Sequence, residues 1–493
     1  MREQLPALIV VVPLLAALAS PLVAYFSTTL VRWLSIAAIL VAHLSSIGSL
    51  VHALTQGTWH YHFGGWAPPW GIEYVIDPLG GVMAVLISFV SLVVVVYSGP
   101  FLKEYDWLKK GIYYALFTLL TTGLLGMVVT GDVFNFYVFL EVSSLTGYAL
   151  IAAGGNRATV AAFRYLLIGT IGASFYLLGI GYLYAITGSL NMADLAEKIP
   201  LIIDSPVVLL AVVMFVVGLG TKMALFPLHG WQPDAYTYSH PAAAALIAGV
   251  MAKVPAYAVL RFFFFIIVGS TGPVQSALEV MGWLAAAGII VGSIMAIAQK
   301  DFRRMLAYSS VAQIGYIVVG LAIGNTFGLI GAMLHFINHA IMKSCLFLVA
   351  GGVKFRTGEH AIEKYAELSR KMPLTMGAFL IAALSMVGLP PTAGFFSKWY
   401  LVLGALEAGK WPYVVVIIIS SLLNAVYFFR IIENAYMKKA SPPLADKASS
   451  TLELPLQMLV PIVVLGLGIL VLGIFNEQLV SQVLQYAIPG GGR

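Results

Sequence analysis

Glu141, Lys222, Lys253, Lys343 and Lys398 all fall inside long apolar runs of the sequence. A charge at mid-membrane costs at least ~2.5–3.5 kcal/mol on insertion scales, so each position needs a reason. A structural reason is one Glu–Lys bridge gluing two helices. It accounts for Glu141 with one lysine and leaves the other three without a carboxylate at depth. Proton chemistry accounts for more of them. Burial lowers a lysine's pKa and a nearby carboxylate raises it. A buried lysine can thus sit near neutrality and change state when a neighbour's charge changes, with Glu141 the natural modulator. His335, His339 and Lys343 are spaced by four, so they drift only about 80° around a helix and share one face. Histidine titrates near neutral pH. One histidine on an apolar face is usually a hydrogen-bonded contact; two with a lysine on one stripe point to a relay.

Two of the lysines stand beside helix breakers. The run Val217–Trp231 contains Gly218, Gly220, Lys222, Pro227 and Gly230, and the run Val387–Trp399 contains Gly388, Pro390, Pro391, Gly394 and Lys398. Proline inside an apolar run removes a backbone hydrogen bond and breaks the helix. Backbone exposed at that depth is tolerated only where it is buried in protein or lines a wet cavity. Pro255 follows Lys253 and is a third expected break.

The elements that position these residues are membrane spans. The chain has 493 residues, 60% hydrophobic and only 10% charged, against roughly 25% charged in soluble domains. About 20 apolar residues cross the hydrocarbon. Run length and punctuation predict an all-α membrane protein of about fourteen spans, near 5–26, 30–53, 76–101, 111–130, 133–153, 159–186, 206–231, 240–267, 276–298, 305–323, 326–350, 373–405, 411–435 and 454–475. The first is taken as a retained span rather than a signal peptide, because its positive start is Arg2 alone and its apolar run is long. Cys345 is the single cysteine, which leaves no disulfide framework, thiolate zinc site or iron–sulfur ligand set within the chain. The net charge of +6 sits in short loops and does not argue for nucleic acid.

Loops on one side carry Lys103, Lys109, Lys110, Arg157, Lys300, Arg303, Arg304, Lys354, Arg356, Lys364, Arg370, Lys371, Lys438, Lys439 and Lys447; the other side carries Arg2, Lys198, Lys410 and Arg493. The positive-inside rule makes the first side cytoplasmic, with both termini outside a plasma membrane. Arg32, Arg164, Arg261 and Arg430 lie near span ends or are long enough to snorkel. Leu54–Tyr74, rich in Trp and Tyr, suits an outer aromatic belt; His60 and His62 within it read as interfacial packing in preference to metal ligands.

The broken segments of spans seven and twelve, Val217–Trp231 and Val387–Trp399, each begin Val-Gly-Leu and close on Trp, and Ser143-Ser144 with Gly147-Tyr148 matches Ser309-Ser310 with Gly315-Tyr316, about 170 residues on. Five spans per unit is odd, so consecutive units point opposite ways. Spans four to eight and nine to thirteen therefore form inverted repeats with broken helices in matching places, the arrangement that marks an ion site in secondary transporters. The expected division is 1–110 (spans one to three), 111–267 (first repeat), 268–435 (second repeat) and 436–493 (span fourteen).

These motifs are familiar. The run Lys222, Phe226-Pro227-Leu228-His229-Gly230-Trp231-Gln232-Pro233-Asp234-Ala235, Pro241, Lys253 and Tyr257 resembles the antiporter-like subunits of respiratory complex I. So do Gly131-Asp132 before Glu141, Tyr308 to Tyr316, His335 to Lys343, and Gly388-Leu389-Pro390-Pro391 with Phe395-Phe396-Ser397-Lys398. Within that superfamily the chain looks most like the D-type subunit of Mrp Na⁺/H⁺ antiporters, and is similar to the matching subunit of membrane-bound hydrogenases. The resemblance implies fourteen helices, two inverted five-helix repeats, and a proton path through Glu141, Lys222, Lys253, His335, His339 and Lys398. It departs where family members carry lysine early in span six, here Arg164, and where some carry glutamate in span twelve, here Lys398.

The function expected is a proton-translocating subunit of a multisubunit complex, either an Mrp-type antiporter or a redox-driven pump such as a membrane-bound hydrogenase or complex I relative. A stand-alone antiporter and a membrane scaffold are the alternatives. Nothing in the chain holds flavin, iron–sulfur or nickel, so any redox enzyme activity belongs to partner subunits and no cofactor is expected. One carboxylate at depth is a poor Na⁺ cage, since hard cations want several oxygens; Na⁺ is left to the rest of the complex.

Overall fold

A computed structural model describes residues 2–267, 272–438 and 452–490. Lys439, Lys447 and Arg493 lie outside them. In chain order the helices are α1 (Leu5–Phe26), α2 (Thr28–Gln56), α3 (Pro78–Ser98), α4 (Trp107–Val129), α5 (Val133–Ala152), α6 (Asn156–Thr187), α7 (Met192–Lys198), α8 (Pro206–Lys222), α9 (Gln232–Tyr238), α10 (Pro241–Leu246), α11 (Lys253–Arg261), α12 (Pro273–Ile297), α13 (Phe302–Ile323), α14 (Thr326–Thr357), α15 (Leu368–Lys371), α16 (Pro373–Val387), α17 (Ala393–Glu407), α18 (Trp411–Ile432), α19 (Leu456–Ile474) and α20 (Asn476–Gln482). Among the described residues, 12 helical segments are long and apolar enough to cross a membrane; α8 and α16 are shorter apolar helices. These two open the spans expected to be broken.

Short polar residues start the helices. Asp77, Asp106, Asp132 and Asp301 each accept a backbone N–H from the first turn of α3, α4, α5 and α13. Such caps satisfy donors that a helix leaves open, a stronger need where water is scarce. Gly388 ends α16 with a left-handed φ of 95°, which a side chain would oppose.

Lipid and core are divided helix by helix. α1, α2, α6 and α18 expose Leu18, Leu22, Leu44, Leu167, Ile171, Leu422 and Val426 outward, as lipid-facing surfaces do. At the centre, α14 is buried without interruption from Gly328 to Val353, walled by α13, α16, α17, α19 and α10. Helices in lipid gain little from hydrophobicity and pack instead through small residues. Gly218 of α8 meets Gly172 of α6 so closely that a Cβ on Gly218 would lie 2.7 Å from the Gly172 carbonyl oxygen.

The polar segment after α2 is not only an aromatic belt. β1 (Trp59–His62) pairs antiparallel with β2 (Glu73–Ile76), placing His62 opposite Glu73. Strand alternation puts His60 and His62 on one face. The expected span 373–405 is two helices, α16 and α17, separated by Gly388–Thr392. The connection Lys354–Met372 carries α15 and a single 3-10 turn, Ile362–Lys364.

Gly394, at the start of α17, sits against α16: a Cβ there would come within 1.9 Å of the Ser385 carbonyl oxygen, and the Gly394 amide donates to Ser385 Oγ at 2.9 Å. Gly394→Ala is expected to destabilise the protein by about 1–3 kcal/mol through overpacking. Gly377→Ala, on α16 where a Cβ meets open space, is expected to be neutral or slightly stabilising. Thermal melting of the purified complex in detergent compares the two.

Candidate functional site

Lys222 is the last residue of α8, where the chain leaves the helix. Its Nζ stands 3.5 Å from Glu141 Oε1 on α5, donates to Ser144 Oγ at 2.7 Å, and reaches Tyr148 Oη at 3.4 Å. Lys222 is buried, while the Glu141 side chain is 24% exposed. The segment 223–231 turns back on itself, with Ala224 at φ 60°. Its open backbone is satisfied from within: the Leu225 amide donates to the Gly220 carbonyl, and Trp231 Nε1 donates to the Thr221 carbonyl at 2.9 Å. The Trp231 indole stacks on Tyr165 with ring centroids 3.6 Å apart, fixing the far end of the break. Pro227 stands in this non-helical segment.

Lys253 opens α11 directly after a π-type turn, Ile247–Met251. Its ammonium donates to the Ala248 carbonyl inside that turn. Pro255 lies in the first turn of α11, so the irregularity falls just before it, where a proline ring would strike the carbonyl four residues back. The turn presses on α14: a Cβ on Gly249 would be 2.2 Å from Ser344 Oγ. Beside this contact, Ser344 Oγ of α14 donates to the Ala245 carbonyl of α10 at 3.2 Å. Lys343 donates to the Leu306 carbonyl at 2.8 Å and to Ser309 Oγ. The rings of His335 and His339 stack at 5.7 Å. Neither nitrogen of His339 has a hydrogen-bond partner among the described residues. Buried polar atoms rarely stay unsatisfied, so this stretch is chemically suited to water.

From His335 the file continues to α17. His335 Nδ1 lies 3.0 Å from Ser397 Oγ, and the next residue is Lys398. Lys398 donates to the Met386 and Val387 carbonyls at 2.9 Å and to Ser421 Oγ at 3.0 Å. Those carbonyls are the open end of α16, and Pro390 and Pro391 stand in the gap behind it. The ammonium also lies 5.2 Å from the centre of the Tyr316 ring. Glu141 and Lys222 thus stand on α5 and α8, Lys253 on α11, His335, His339 and Lys343 on α14, and Lys398 on α17.

Several polar partners were not anticipated. Arg261 does not snorkel: it holds Asp77 through both Nη atoms at 2.5 and 2.7 Å, and Tyr257 Oη accepts from it at 3.2 Å. Arg430 donates to the Ile297 and Gln299 carbonyls. Arg164 and Arg304 flank Asp234 at 3.0 and 3.3 Å. His60 and His62 neither idle in a belt nor form a metal group; among the described residues no such group occurs. They converge on Glu73. The usable sequence signal was Asp77-Pro78, a cap that also offers a carboxylate at a span end.

The family follows from residues 130–424, which match the NADH:quinone oxidoreductase/Mrp antiporter transmembrane family; the chain belongs to it. It is 57% identical to NADH-quinone oxidoreductase subunit N of Desulforudis audaxviator, over 99% of both chains. It is 31% identical to the D-type subunit of the Na⁺/H⁺ antiporter of Alkalihalophilus pseudofirmus, over 90% of both. The superfamily is the one the motifs indicated, with the oxidoreductase subunit the nearer of these two relatives. A chain of the membrane-bound sulfane sulfur reductase, an archaeal respiratory membrane complex, superposes with a TM-score of 0.90 at 29% identity, covering 98% of this chain and 97% of that one.

Gly169 of α6 gives a test of the Lys222 cage. A Cβ there would lie 2.1 Å from Tyr148 Oη, so Gly169→Ala is expected to push the phenol off Lys222 and lower proton flux of the assembled complex several-fold. Gly181→Ala on the same helix, where a Cβ meets open space, is expected to leave flux unchanged. Vesicle proton uptake with matched subunit content measures both.

Proposed function

We propose that this chain is the proton-carrying membrane subunit of a multisubunit complex and that protons move laterally along Glu141, Lys222, Lys253, His339, Lys343, His335 and Lys398. The observation that supports the proposal is the set of buried titratable groups on four helices, Lys222 on α8, Lys253 on α11, His335, His339 and Lys343 on α14, and Lys398 on α17. A scaffold held by one ion pair needs the Glu141–Lys222 contact at 3.5 Å and none of the rest. The relatives' names speak of quinone oxidoreductase and Na⁺/H⁺ antiporter subunits, so the driver is redox chemistry in partner subunits or an ion gradient. A stand-alone antiporter is the second reading; the purified chain alone in proteoliposomes is expected to be inactive.

We further propose fourteen spans, counting each broken pair once, and two inverted repeats at 111–267 and 268–435, preceded by 1–110 and followed by 436–493. Paired details support this. Asp132 bridges to Asn191 and Asp301 to Ala361, and both aspartates cap the second helix of their unit. Tyr148 faces Lys222 as Tyr316 faces Lys398. Arg261 and Arg430 each precede a π-type turn, Phe262–Ile266 and Glu433–Met437. The loop charges favour a plasma-membrane orientation with both termini outside.

Arginine keeps its charge and does not deprotonate in proteins. Lys222→Arg and Lys398→Arg are therefore expected to fail nearly as badly as the alanine variants in vesicle proton or Na⁺ flux, at normal subunit content by blotting. A structural ion pair requires the reverse, with arginine working and alanine dissociating the complex. Full flux in both arginine variants would sink the relay.

Glu141→Ala is expected to abolish coupled transport while assembly survives, and Glu141→Asp to keep part of it, because charge remains and reach shortens. Unchanged flux in Glu141→Ala would remove the residue from the path.

A further inference from the structure

The β-hairpin packs over a cavity of about 180 Å³ at one end of the first repeat, lined by His60, Glu73, Thr130, Gly131, Met192 and Arg261, among others. Glu73 is 2% exposed, unusual for a carboxylate in a surface hairpin. Its Oε2 is 2.8 Å from His60 Nδ1 and 3.5 Å from His62 Nε2, and its Oε1 accepts from Asn191 Nδ2 at 2.8 Å. The two histidines are 49% and 40% exposed. A buried acid thus lies beneath two half-exposed imidazole rings and lines the cavity itself.

The floor of this cavity leads toward the file. Lys253, Tyr257 and Arg261 are spaced by four along α11, so they share one face of the helix. Tyr257 Oη accepts from Arg261 and donates to the Val128 carbonyl at 3.2 Å. Arg261 is a fixed cation that would repel protons, and Asp77 neutralises it through two hydrogen bonds. Other charged or titratable groups at this end are Asp132, capping α5, Tyr74, bridged to Thr130, and the Asp194–Lys198 pair on α7.

We propose that this cavity is an aqueous mouth of the proton file, with His60, His62 and Glu73 as its exchanging groups and α11, which runs from Arg261 at the cavity to Lys253, as the element that joins it to the file. This rests on the relay proposed above and places one of its openings at the first repeat, beside the hairpin. In the inward direction His60 gives its Nδ1 proton to Glu73 Oε2 and regains one from water; Glu73 then gives its proton to water in the cavity. Asp77 leaves no net charge at the throat.

The test uses the complete complex in sealed vesicles of both orientations. Glu73→Gln keeps the size and the hydrogen-bonding arms but cannot titrate; proton flux is expected to fall at least fivefold at matched subunit content. Ala196 lines the same cavity, and the chain's one cysteine, Cys345, is buried. Ala196→Cys is treated with a membrane-impermeant, positively charged thiol reagent. Labelling from the hairpin side is expected to cut flux at least fivefold relative to the same variant unlabelled. Reagent on the opposite side, and reagent on the wild-type chain, are expected to have no effect. Full flux after complete labelling, or in Glu73→Gln, overturns the mouth. If Lys222→Arg is inactive in the same vesicles, that result leaves the relay standing; if Lys222→Arg is fully active, it is the relay that has failed.

Discussion

A lysine ammonium offers three donors and no acceptor, and in the middle of a membrane the acceptors must come from the protein itself. Helices supply few of them, because most of their carbonyls are already used; Lys343, within α14, shares one with α13 at Leu306. For Lys222, Lys253 and Lys398 the chain interrupts helices where the lysines stand. Lys398 takes the two open carbonyls at the end of α16. Lys253 takes Ala248, whose carbonyl lies in a π-type turn. Lys222 ends its own helix and turns to Ser144, Tyr148 and Glu141. Broken helices and buried cations are one device: each makes the other tolerable. Much else follows, including the Trp231 clamp behind the first break and the glycine approach of α17 to α16 behind the second.

The two ends of the file are solvated differently. Lys222 has a carboxylate at 3.5 Å; Lys398 has carbonyls, a serine hydroxyl and the face of Tyr316. An anion holds a proton on its neighbour far more strongly than neutral dipoles do. Glu141 is the one carboxylate among these residues, and its side chain is partly exposed.

The parts legible in sequence were those that obey local rules. Hydropathy finds spans because the bilayer imposes a length, and Pro227, Pro390 and Pro391 mark breaks because proline acts on its own turn. His335, His339 and Lys343 share a face by spacing alone. Partners distant in sequence were hidden. Nothing near Arg261 announces Asp77, 184 residues away, so it passed for a snorkelling residue. Glu73 gave no signal because its histidines and Asn191 meet it only after the hairpin folds against α7. Strands of four residues are too short to stand out beside helices of 20 and more. The approach of Gly249 to Ser344 of α14 depends on packing of the π-type turn, which no periodicity reveals.

The uninterrupted burial of α14 bears on how the chain is made. Its midsection carries His335, Asn338, His339 and Lys343, all at 0–1% exposure in the finished fold. A helix with a lysine near its centre partitions into lipid at a cost of about 2.5–3.5 kcal/mol for that residue alone. During synthesis α14 emerges before α16 and α17, which supply Ser397 and half of its walls. It therefore cannot rest as a solitary lipid-facing segment at the translocon. It must be retained beside α10 and α13, already inserted, until the next pair of helices closes over it. Biogenesis of this chain is in that sense ordered by its buried titratable residues: the helix that carries three of them is the one that has to wait.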